Sequence, residues 1–318
     1  MTAALPSSTQ TPSPDLRIVS LIPSATEIVA ALGLANQLVG RSHECDYPAG
    51  VQALPVCTRP RFDPVGNSRE VHERVDAILR EALSVYAVDL AVLDALKPTH
   101  ILTQAQCEVC AVSLADVEKA VAQLSGVQPH ILSLQPNHLI DVWADIERVA
   151  AALEVEGIGL VQQLRTGVEI CSAQAQAAGR RPQVACIEWT DPLMAAGNWI
   201  PELVELAGGH CLFGTAGRHS PWLDWADLWA ADPEVIVFMP CGYDLQQTRE
   251  AACDLARRHD EWAQLSAVKS GEVYLVDGNQ YFNRPGPRLV DSLAILAQIL
   301  HPERFAREHP ATVWARLL

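Results

Sequence analysis

Apolar runs alternate with helix-type patterns along this chain, and the first pair lies near its start. Residues 18–22 form a short apolar run that Pro23 ends. Ser24 and Glu27 then have the S-x-x-E spacing of a helix capping box, and apolar residues follow over 28–33. This order predicts a buried strand, a tight turn and a helix that Ser24 caps.

The same order of patterns returns in the second half of the chain. Residues 183–189 form another apolar run, Asp191 and Pro192 predict a turn, and 201–209 have the composition of a short helix. The sequence therefore predicts a second strand, turn and helix that repeat the first.

The repeat extends beyond these two units. A helix end, a proline and a buried-type strand follow one another over 93–103, and again over 228–238. Strands that alternate with helices predict parallel sheets built from β-α units. We therefore expect an α/β fold with two parallel-sheet lobes, one near 17–135 and the other near 180–300.

Between the predicted lobes the pattern is helical. Apolar residues recur at helical spacing from Leu139 to Leu164 with few breaks. A helical bridge is stiffer than a Gly/Ser linker, so we expect the lobes to move little and to hold a ligand in the cleft between them. The predicted division is a flexible lead (1–16), an N-terminal α/β lobe (17–136), a helical bridge (137–178), a C-terminal α/β lobe (179–302) and a tail (303–318).

Composition and charge exclude several classes of protein as interpretations of this sequence. The chain has 318 residues, of which 49% are hydrophobic and 19% charged, which is typical of soluble globular proteins. It carries 23 Lys and Arg against 38 Asp and Glu, and 23 − 38 gives a formal charge of −15. A surface this acidic repels phosphate backbones, so nucleic acid is not an expected partner.

The sequence shows no export or membrane signal. The first sixteen residues contain neither a basic n-region nor the apolar core of a signal peptide. No later segment gives the run of about 18 apolar residues that a transmembrane helix needs. We therefore expect a cytoplasmic protein whose nine cysteines are reduced thiols rather than a disulfide framework.

The first lobe places candidate metal ligands after two predicted strands. His43 and Cys45 follow one strand, and the C-x-x-C pair Cys107 and Cys110 follows another. Parallel strands of one sheet deliver such loops to the same edge, so the four side chains are expected to converge there. This set suits zinc or an iron–sulfur cluster, and the C-x-x-C pair alone suits a redox dithiol. Ordinary buried cysteines are the alternative interpretation.

The second lobe places aromatic residues at the corresponding strand ends. Trp189 ends one predicted strand and Tyr243 follows the next. Tyr281, Phe282 and Arg284 lie on a loop rich in proline and glycine after a third strand. Flat rings on the walls of a cleft suit a large planar ligand such as a corrin or haem, whereas packing in the core is the alternative.

The opening residues carry a resemblance to a known family. The sequences RIVSLIPSATEIVAALGLANQLVG at 17–40 and SHECDYP at 42–48 resemble the start of the cobalamin- and siderophore-binding proteins of ABC importers, the helical-backbone metal receptor superfamily. The resemblance covers about 17–300 and implies two α/β lobes joined by one long helix, with the ligand between them. It also implies that Tyr47 contacts the ligand. The stretch 57–89 is longer here than the corresponding part of the cobalamin binders.

Three functional hypotheses follow from these observations. The first is a non-catalytic receptor for cobalamin, a related corrinoid or another small-molecule metal chelate, and its engagement with an ABC permease is left open. The second is a zinc or iron–sulfur protein, and the third is a thiol-dependent enzyme with His43 as base. The predicted ligand contacts of the receptor are Tyr47, Trp189, Tyr243, Tyr281, Phe282 and Arg284, and the predicted metal ligands are His43, Cys45, Cys107 and Cys110.

Overall fold

The computed structural model describes residues 15–81, 84–105, 112–126, 128–306 and 309–317. The strands in these ranges are β1 (Ile18–Ser20), β2 (Leu38–Arg41), β3 (Thr58–Pro60), β4 (Tyr86–Val88), β5 (His100–Gln104), β6 (His130–Leu134), β7 (Gln183–Thr190), β8 (Leu193–Ala195), β9 (His210–Cys211), β10 (Val235–Phe238), β11 (Val273–Val276) and β12 (Trp314–Arg316). The helices are α1 (Pro23–Ala31), α2 (Ser68–Arg80), α3 (Leu90–Leu96), α4 (Leu114–Val121), α5 (Leu139–Ala152), α6 (Ile158–Gln176), α7 (Ile200–Leu206), α8 (Trp225–Ala231), α9 (Leu245–Arg258), α10 (Ser266–Lys269) and α11 (Leu289–Leu300).

A four-stranded parallel sheet forms the centre of the first of two units. This unit takes in the described residues within 15–59, 86–134 and 143–162, and its strand order is β2-β1-β5-β6. Ile18 pairs with Leu38 on one side and with His100 on the other. Because β1 lies inside the sheet and both its faces are covered, all three of its residues are buried and its sequence is a continuous apolar run.

Helix α1 starts before the cap that the sequence predicts. Pro23 occupies the first helical position, where a missing N–H costs nothing, and Ile22 precedes it in an extended conformation without a side-chain cap. Ser24 and Glu27 therefore lie inside the helix, where both are buried. The predicted capping box is wrong because proline set the start of the helix.

The second unit contains a six-stranded mixed sheet. It takes in the described residues within 60–85, 135–142 and 163–317, and its main strand order is β12-β11-β10-β7-β8, with β9 also paired to β7. Strands β7, β10 and β11 run parallel, whereas β8 and β12 pair antiparallel with their neighbours. Ile236, Phe238 and Leu275 are fully buried in its core. The prediction of an α/β fold with parallel sheets is confirmed.

Two helix ends show the predicted repeat in detail. Helices α3 and α8 end at Lys97 and Asp232, which both have left-handed backbone conformations with φ of 47° and 40°. Pro98 and Pro233 follow, and strands β5 and β10 begin shortly after them. Because the residue before a proline is disfavoured in the right-handed helical region, both helices stop at the same point of the repeat.

The segment predicted as a helical bridge forms two helices, α5 and α6, rather than one. Gly157 lies between them, and a Cβ at this position would approach Ala150 Cβ to 2.5 Å. The residues of these helices divide between the two units, and the five-part division of the chain stays a prediction. No helix in the described ranges is both long and apolar enough to span a membrane.

Residues 60–85 belong to the second unit although the strands on either side of them, β3 and β4, pair with each other. The segment contains α2, which starts with a reciprocal capping box. Asn67 accepts a hydrogen bond from the Glu70 backbone N–H, and the Glu70 carboxylate accepts one from the Asn67 N–H, both at 3.0 Å. These bonds fix where the helix starts.

Candidate functional site

One arginine organises the loop after β2, which carries two of the predicted metal ligands. Arg41 Nη1 donates hydrogen bonds to the backbone carbonyls of Ser42 at 3.0 Å and Cys45 at 3.1 Å. Its Nη2 donates to the Gln52 carbonyl at 3.1 Å. Bonds from a charged donor are stronger than neutral ones, so this side chain holds the whole loop in one conformation.

His43 is held as a neutral imidazole on this loop. Its Nδ1 lies 2.8 Å from Thr58 Oγ1, which also accepts a hydrogen bond from the His43 backbone N–H at 3.1 Å. The ring packs against Tyr86, with centroids 5.1 Å apart. Burial, helped by the charge of Arg41, lowers the pKa of His43 to about 4. When Nδ1–H donates to Thr58, the lone pair of Nε2 is available to a ligand at neutral pH.

Cys45 points into the core of the first unit. Its side chain is 1% exposed, Thr26 Oγ1 donates a hydrogen bond to its sulfur at 3.0 Å, and the sulfur lies 4.0 Å from the Ser20 carbonyl oxygen. A thiol enclosed in this way packs as a small buried residue. The structure therefore gives no support to Cys45 as a metal ligand.

Two cysteines complete the predicted metal site. Cys107 and Cys110 lie outside the described residues, so the predicted approach of Cys107 to Cys45 stays untested. Among the residues that the structure describes, no three His, Cys, Asp or Glu side chains converge to hold a metal ion. The zinc and iron–sulfur hypothesis gains no support.

Tyr47 is exposed on the same loop as His43. Its side chain is 45% accessible, and the loop lies at the carboxyl end of β2 in a parallel sheet. This is the sheet edge at which open α/β folds bind ligands. The first unit thus presents a flat aromatic ring and a neutral imidazole on one fixed loop.

Trp189 and Tyr243 form an aromatic pair in the second unit. Their ring centroids lie 5.2 Å apart, and the Trp189 Nε1–H donates to the Asp191 carbonyl at 3.1 Å. They come together because Trp189 lies near the end of β7, and Tyr243 follows the neighbouring strand β10. Both residues lie at the strand ends where the sequence places them, whereas their contact with a ligand stays a prediction.

Tyr243 is covered in this structure. Tyr243 is 9% exposed, burial raises the pKa of its hydroxyl, and the neighbouring Ser68 acts in the opposite direction. The hydroxyl has no hydrogen-bond partner among the described residues. Ser68 is the first residue of α2, and its hydroxyl also lies 2.8 Å from Thr190 Oγ1. The start of α2 therefore lies against the aromatic pair.

The three remaining predicted contacts lie on the loop after β11, which opens with a single π-helical turn over Gly278–Phe282. Phe282 is fully buried, and its carbonyl accepts a hydrogen bond from Trp199 Nε1 at 2.9 Å. Arg284 is 3% exposed and donates from Nη2 to Asn279 Oδ1 at 3.0 Å. The Tyr281 ring packs under the Arg288 guanidinium at 5.2 Å. In this structure Phe282 and Arg284 hold the loop, and only Tyr281 retains partial exposure.

Backbone contacts bring this loop to Tyr243. The Asn279 N–H donates to the Tyr243 carbonyl at 3.1 Å, and Asn283 Nδ2 donates to the carbonyls of Met239 at 3.2 Å and Gly278 at 2.9 Å. A Cβ on Gly278 would approach the Pro240 oxygen to 2.4 Å, so only glycine fits at this crossing. The loops after β10 and β11 therefore form one connected surface.

A cavity of about 470 Å³ lies within the second unit, where the start of α2, the end of β7 and the end of α9 meet. Asp191 accepts hydrogen bonds from Arg69, one of them from Nε at 3.0 Å, and it forms an ion pair with Arg258 at 2.5 Å. Arg258 also donates to the Thr190 carbonyl at 2.9 Å. The cavity is lined by Asn67, Ser68, Arg69, Glu70, Glu73, Thr190, Asp191, Asp254, Arg257 and Arg258.

The comparison with known families agrees with this architecture. The model of the family described as periplasmic binding protein matches residues 88–279, which is more than half of the chain. This chain belongs to the periplasmic binding protein family. This match confirms the family that the opening residues resemble. It covers 88–279 and therefore does not depend on those opening residues.

Several known proteins are similar to this chain over most of their length. The vitamin B12-binding protein of Vibrio cholerae is 25% identical over 91% of this chain and 90% of that protein. An ABC transporter substrate-binding lipoprotein of Bacillus subtilis is 22% identical over 91% of this chain and 81% of that protein. A periplasmic haem-binding protein of Pseudomonas aeruginosa superimposes with a TM-score of 0.68 at 21% identity, covering 91% of this chain and 93% of that one.

No residue of α2 is predicted from the sequence to be part of the candidate site. The greater length of its segment, 57–89, than in the cobalamin binders is an expectation from the sequence, and the Asn67-x-x-Glu70 spacing is typical of a capping box. The packing of α2 on β7 was not visible, since the partners Arg69 and Asp191 are 122 residues apart. Local sequence patterns do not predict contacts between residues that are this far apart in the chain.

Proposed function

We propose that this protein is a non-catalytic receptor for a metal tetrapyrrole or corrinoid, with cobalamin and haem as the two candidate ligands. The observation that carries the proposal is His43, a neutral imidazole whose Nδ1 is anchored by Thr58, on the loop that exposes Tyr47. Membership of a family of binding proteins, with relatives named for vitamin B12 and haem, supports it.

The chemistry of the first unit suits the face of a metal chelate. An imidazole nitrogen is a good ligand for the cobalt of a corrin or the iron of haem, and a hydrogen bond on the other nitrogen orients the ring. The Thr58 hydroxyl occupies that position at His43. An exposed ring such as Tyr47 stacks on a flat macrocycle, and such contacts contribute about 0.5–1.5 kcal/mol beyond area burial.

The second unit would supply further aromatic surface from Trp189, Tyr243 and Tyr281. The hydrogen bonds of Asn279 and Asn283 connect the loops that carry Tyr243 and Tyr281, and Trp189, near the end of β7, packs on Tyr243. The binding position between two lobes, expected from the sequence, stays a prediction.

A titration with defined chelates tests the proposal. Purified protein is titrated with hemin, cyanocobalamin and dicyanocobinamide, and binding is followed by calorimetry and by the visible absorbance of each chelate. We expect saturable binding of at least one of them. Absence of heat, spectral change and protection from thermal unfolding with all three would contradict the proposed function.

A matched pair of histidine variants tests the role of His43. His43→Ala removes the anchored imidazole, whereas His210→Ala removes an exposed histidine that pairs with Glu205. We expect His43→Ala to shift the Soret band of bound hemin or to weaken cyanocobalamin binding, and His210→Ala to do neither. Equal effects of the two variants would show that His43 does not contact the chelate.

The partner and the location belong to the proposal as well. A receptor of this kind delivers its ligand to an ABC permease, and the relative from Bacillus subtilis is named as part of such a transporter. The cytoplasmic location expected from the sequence stays a prediction. Fractionation of cells that express the full chain checks it, and recovery of the protein outside the cytoplasm would overturn it.

A further inference from the structure

Helix α2 is held on the second unit by its first turn. The Ser68 hydroxyl lies 2.8 Å from Thr190 Oγ1, and Arg69 makes two hydrogen bonds to the Asp191 carboxylate. Asp191 is 14% exposed and Arg69 is 54% exposed, so the arginine reaches from solvent to a largely buried acceptor. These contacts join the start of α2 to the end of β7.

The remainder of α2 is loosely packed. Ser68 is its only fully buried residue, although Val71, Val75 and Ile78 form an apolar stripe at helical spacing. The stripe is only partly buried, and the neighbouring Leu79 is 36% exposed. An amphipathic helix normally gains most of its stability by burying such a stripe. Elements that bury little apolar surface are the ones that open locally, well below the free energy of global unfolding.

The next turn adds an edge contact between two rings. His72 meets the Trp222 ring at a centroid distance of 5.5 Å, but Trp222 is 61% exposed. The position of α2 therefore depends on the polar contacts of Ser68 and Arg69.

The residues beneath this first turn are those that the proposed function needs. Tyr243 is 9% exposed, its buried hydroxyl lies beside Ser68 without a hydrogen-bond partner among the described residues, and its ring packs on Trp189. As long as α2 stays in place, Tyr243 has almost no surface with which to contact a ligand. Removal of the first turn of α2 would expose the hydroxyl edge of Tyr243 together with Thr190.

We propose that α2 is a lid over the Trp189–Tyr243 pair, and that the Arg69–Asp191 pair is the latch that keeps it closed. Opening breaks the contacts of Ser68 and Arg69, while Asp191 keeps its ion pair with Arg258. The retained pair lowers the cost of opening, because the buried carboxylate is never left without a cation. The role of α2 as a lid over a ligand site rests on the proposed function. The local opening of α2 does not depend on that function.

A pair of arginine variants tests the latch without any ligand. Arg69→Gln removes the contact to Asp191. Arg80→Gln removes an equal charge from the same helix, where Arg80 pairs with Asp76 one turn earlier at 2.6 Å. We expect amide hydrogen exchange within 71–80 to become about three- to tenfold faster in Arg69→Gln and to stay unchanged in Arg80→Gln. Nitration of Tyr243 by tetranitromethane, mapped by mass spectrometry, should rise in the same variant only. Equal exchange and equal nitration in the two variants would overturn the latch.

A reversible tether tests the lid. The close hydroxyls of Ser68 and Thr190 make Ser68→Cys with Thr190→Cys a pair that an oxidant can bridge, and dithiothreitol reverses the bridge. We expect the oxidised double variant to bind hemin or cyanocobalamin about tenfold more slowly than its reduced form, and Arg69→Gln to bind faster than wild type. Wild-type protein treated with the same oxidant controls for its native thiols.

The outcomes separate the two proposals. Equal association rates in the oxidised and reduced tether, with binding intact, would overturn the lid while leaving the receptor function standing. If no chelate binds to the wild-type protein, the proposed function fails, and the exchange and nitration data alone decide whether α2 opens over Tyr243.

Discussion

The Ser220 hydroxyl donates a 2.7 Å hydrogen bond to Glu188 Oε2. The same hydroxyl accepts a hydrogen bond from the Gly197 N–H at 3.1 Å. Burial raises the pKa of Glu188, whereas the bonds from Ser220 and Gly197 act in the opposite direction. An acid whose pKa is raised by folding favours the folded state at low pH, and this contribution is lost as the pH rises through its folded pKa.

Glu188→Gln should therefore stabilise the protein more at pH 7 than at pH 4. The amide oxygen still accepts the Ser220 hydrogen bond, but the partly buried charge that costs stability at pH 7 is gone. Urea unfolding at both pH values measures the difference. Glu169→Gln, on an exposed face of α6, is the control. A variant with the same pH dependence as wild type would contradict the prediction.

His43 should make the protein lose stability in mild acid. Its pKa is about 4 in the folded protein against 6.5 for the free side chain. The unfolded chain therefore binds a proton first, and stability falls as the pH drops from about 6.5 through 4. With allowance for the partial exposure of the ring, we expect His43→Gln to remove about 1–2 kcal/mol of this loss. Denaturant unfolding at pH 7, 5.5 and 4.5 measures it, and His210→Gln should leave the loss intact.

Gly278→Ala should destabilise the protein and disturb the loop that bears Tyr281. The added Cβ would meet the Pro240 oxygen at 2.4 Å and the Met239 carbonyl at 2.8 Å, and backbone atoms yield little. We expect a cost of about 1–3 kcal/mol in the free energy of unfolding. Gly50→Ala is the matched control, because no atom lies within 4 Å of its Cβ position. Thermal and urea unfolding compare the two, and equal stability would count against the close crossing.

His301→Leu should cost little although the side chain is fully buried. Neither ring nitrogen has a hydrogen-bond partner among the described residues, and the Glu303 carboxylate lies 3.8 Å from Nδ1. Replacement of unsatisfied polar atoms by an apolar group of similar size is nearly neutral or stabilising, so we expect a change within about 1 kcal/mol. Leu296→Ala in the preceding helix α11 should cost about 2–5 kcal/mol, since it leaves a cavity. A comparable loss in the two variants, measured by urea unfolding, would show that the His301 ring makes a needed contact.

The central strands could be predicted because strands buried on both faces have continuous apolar sequences. Ile18 and Val19, like Ile236 and Val237, lie in strands covered on both faces, so their segments are apolar without alternation. The start of α1 could not be predicted by the capping-box rule, because Pro23 is compatible with the first helical position and competes with that rule. Local sequence signals of this kind can point to different boundaries.

The positions of Trp189 and Tyr243 at strand ends were predictable from the sequence. The packing of α2 over them was not. Topology alone brings the loops after β7 and β10 to one edge, and this placed Trp189 near Tyr243. Nothing local distinguishes the exposed from the buried member of the Tyr281–Phe282 pair, since the π-helical turn that sets their directions depends on contacts with Met239 and Pro240. The packing of Ser68 on Thr190 joins residues 122 positions apart and has no local signal.

The antiparallel pairing of β12 with β11 closes one side of the second sheet. Tyr274 pairs with Arg316 and Val276 with Trp314, so the outer backbone groups of β11 are matched by a neighbour. Strand β11 has the sequence VYLV, which has a high propensity to add further strands when its edge is open. The short strand thus protects the protein against edge-to-edge self-association. A chain lacking residues 310–318 should form intermolecular sheets and aggregate at concentrations at which the intact chain stays dispersed.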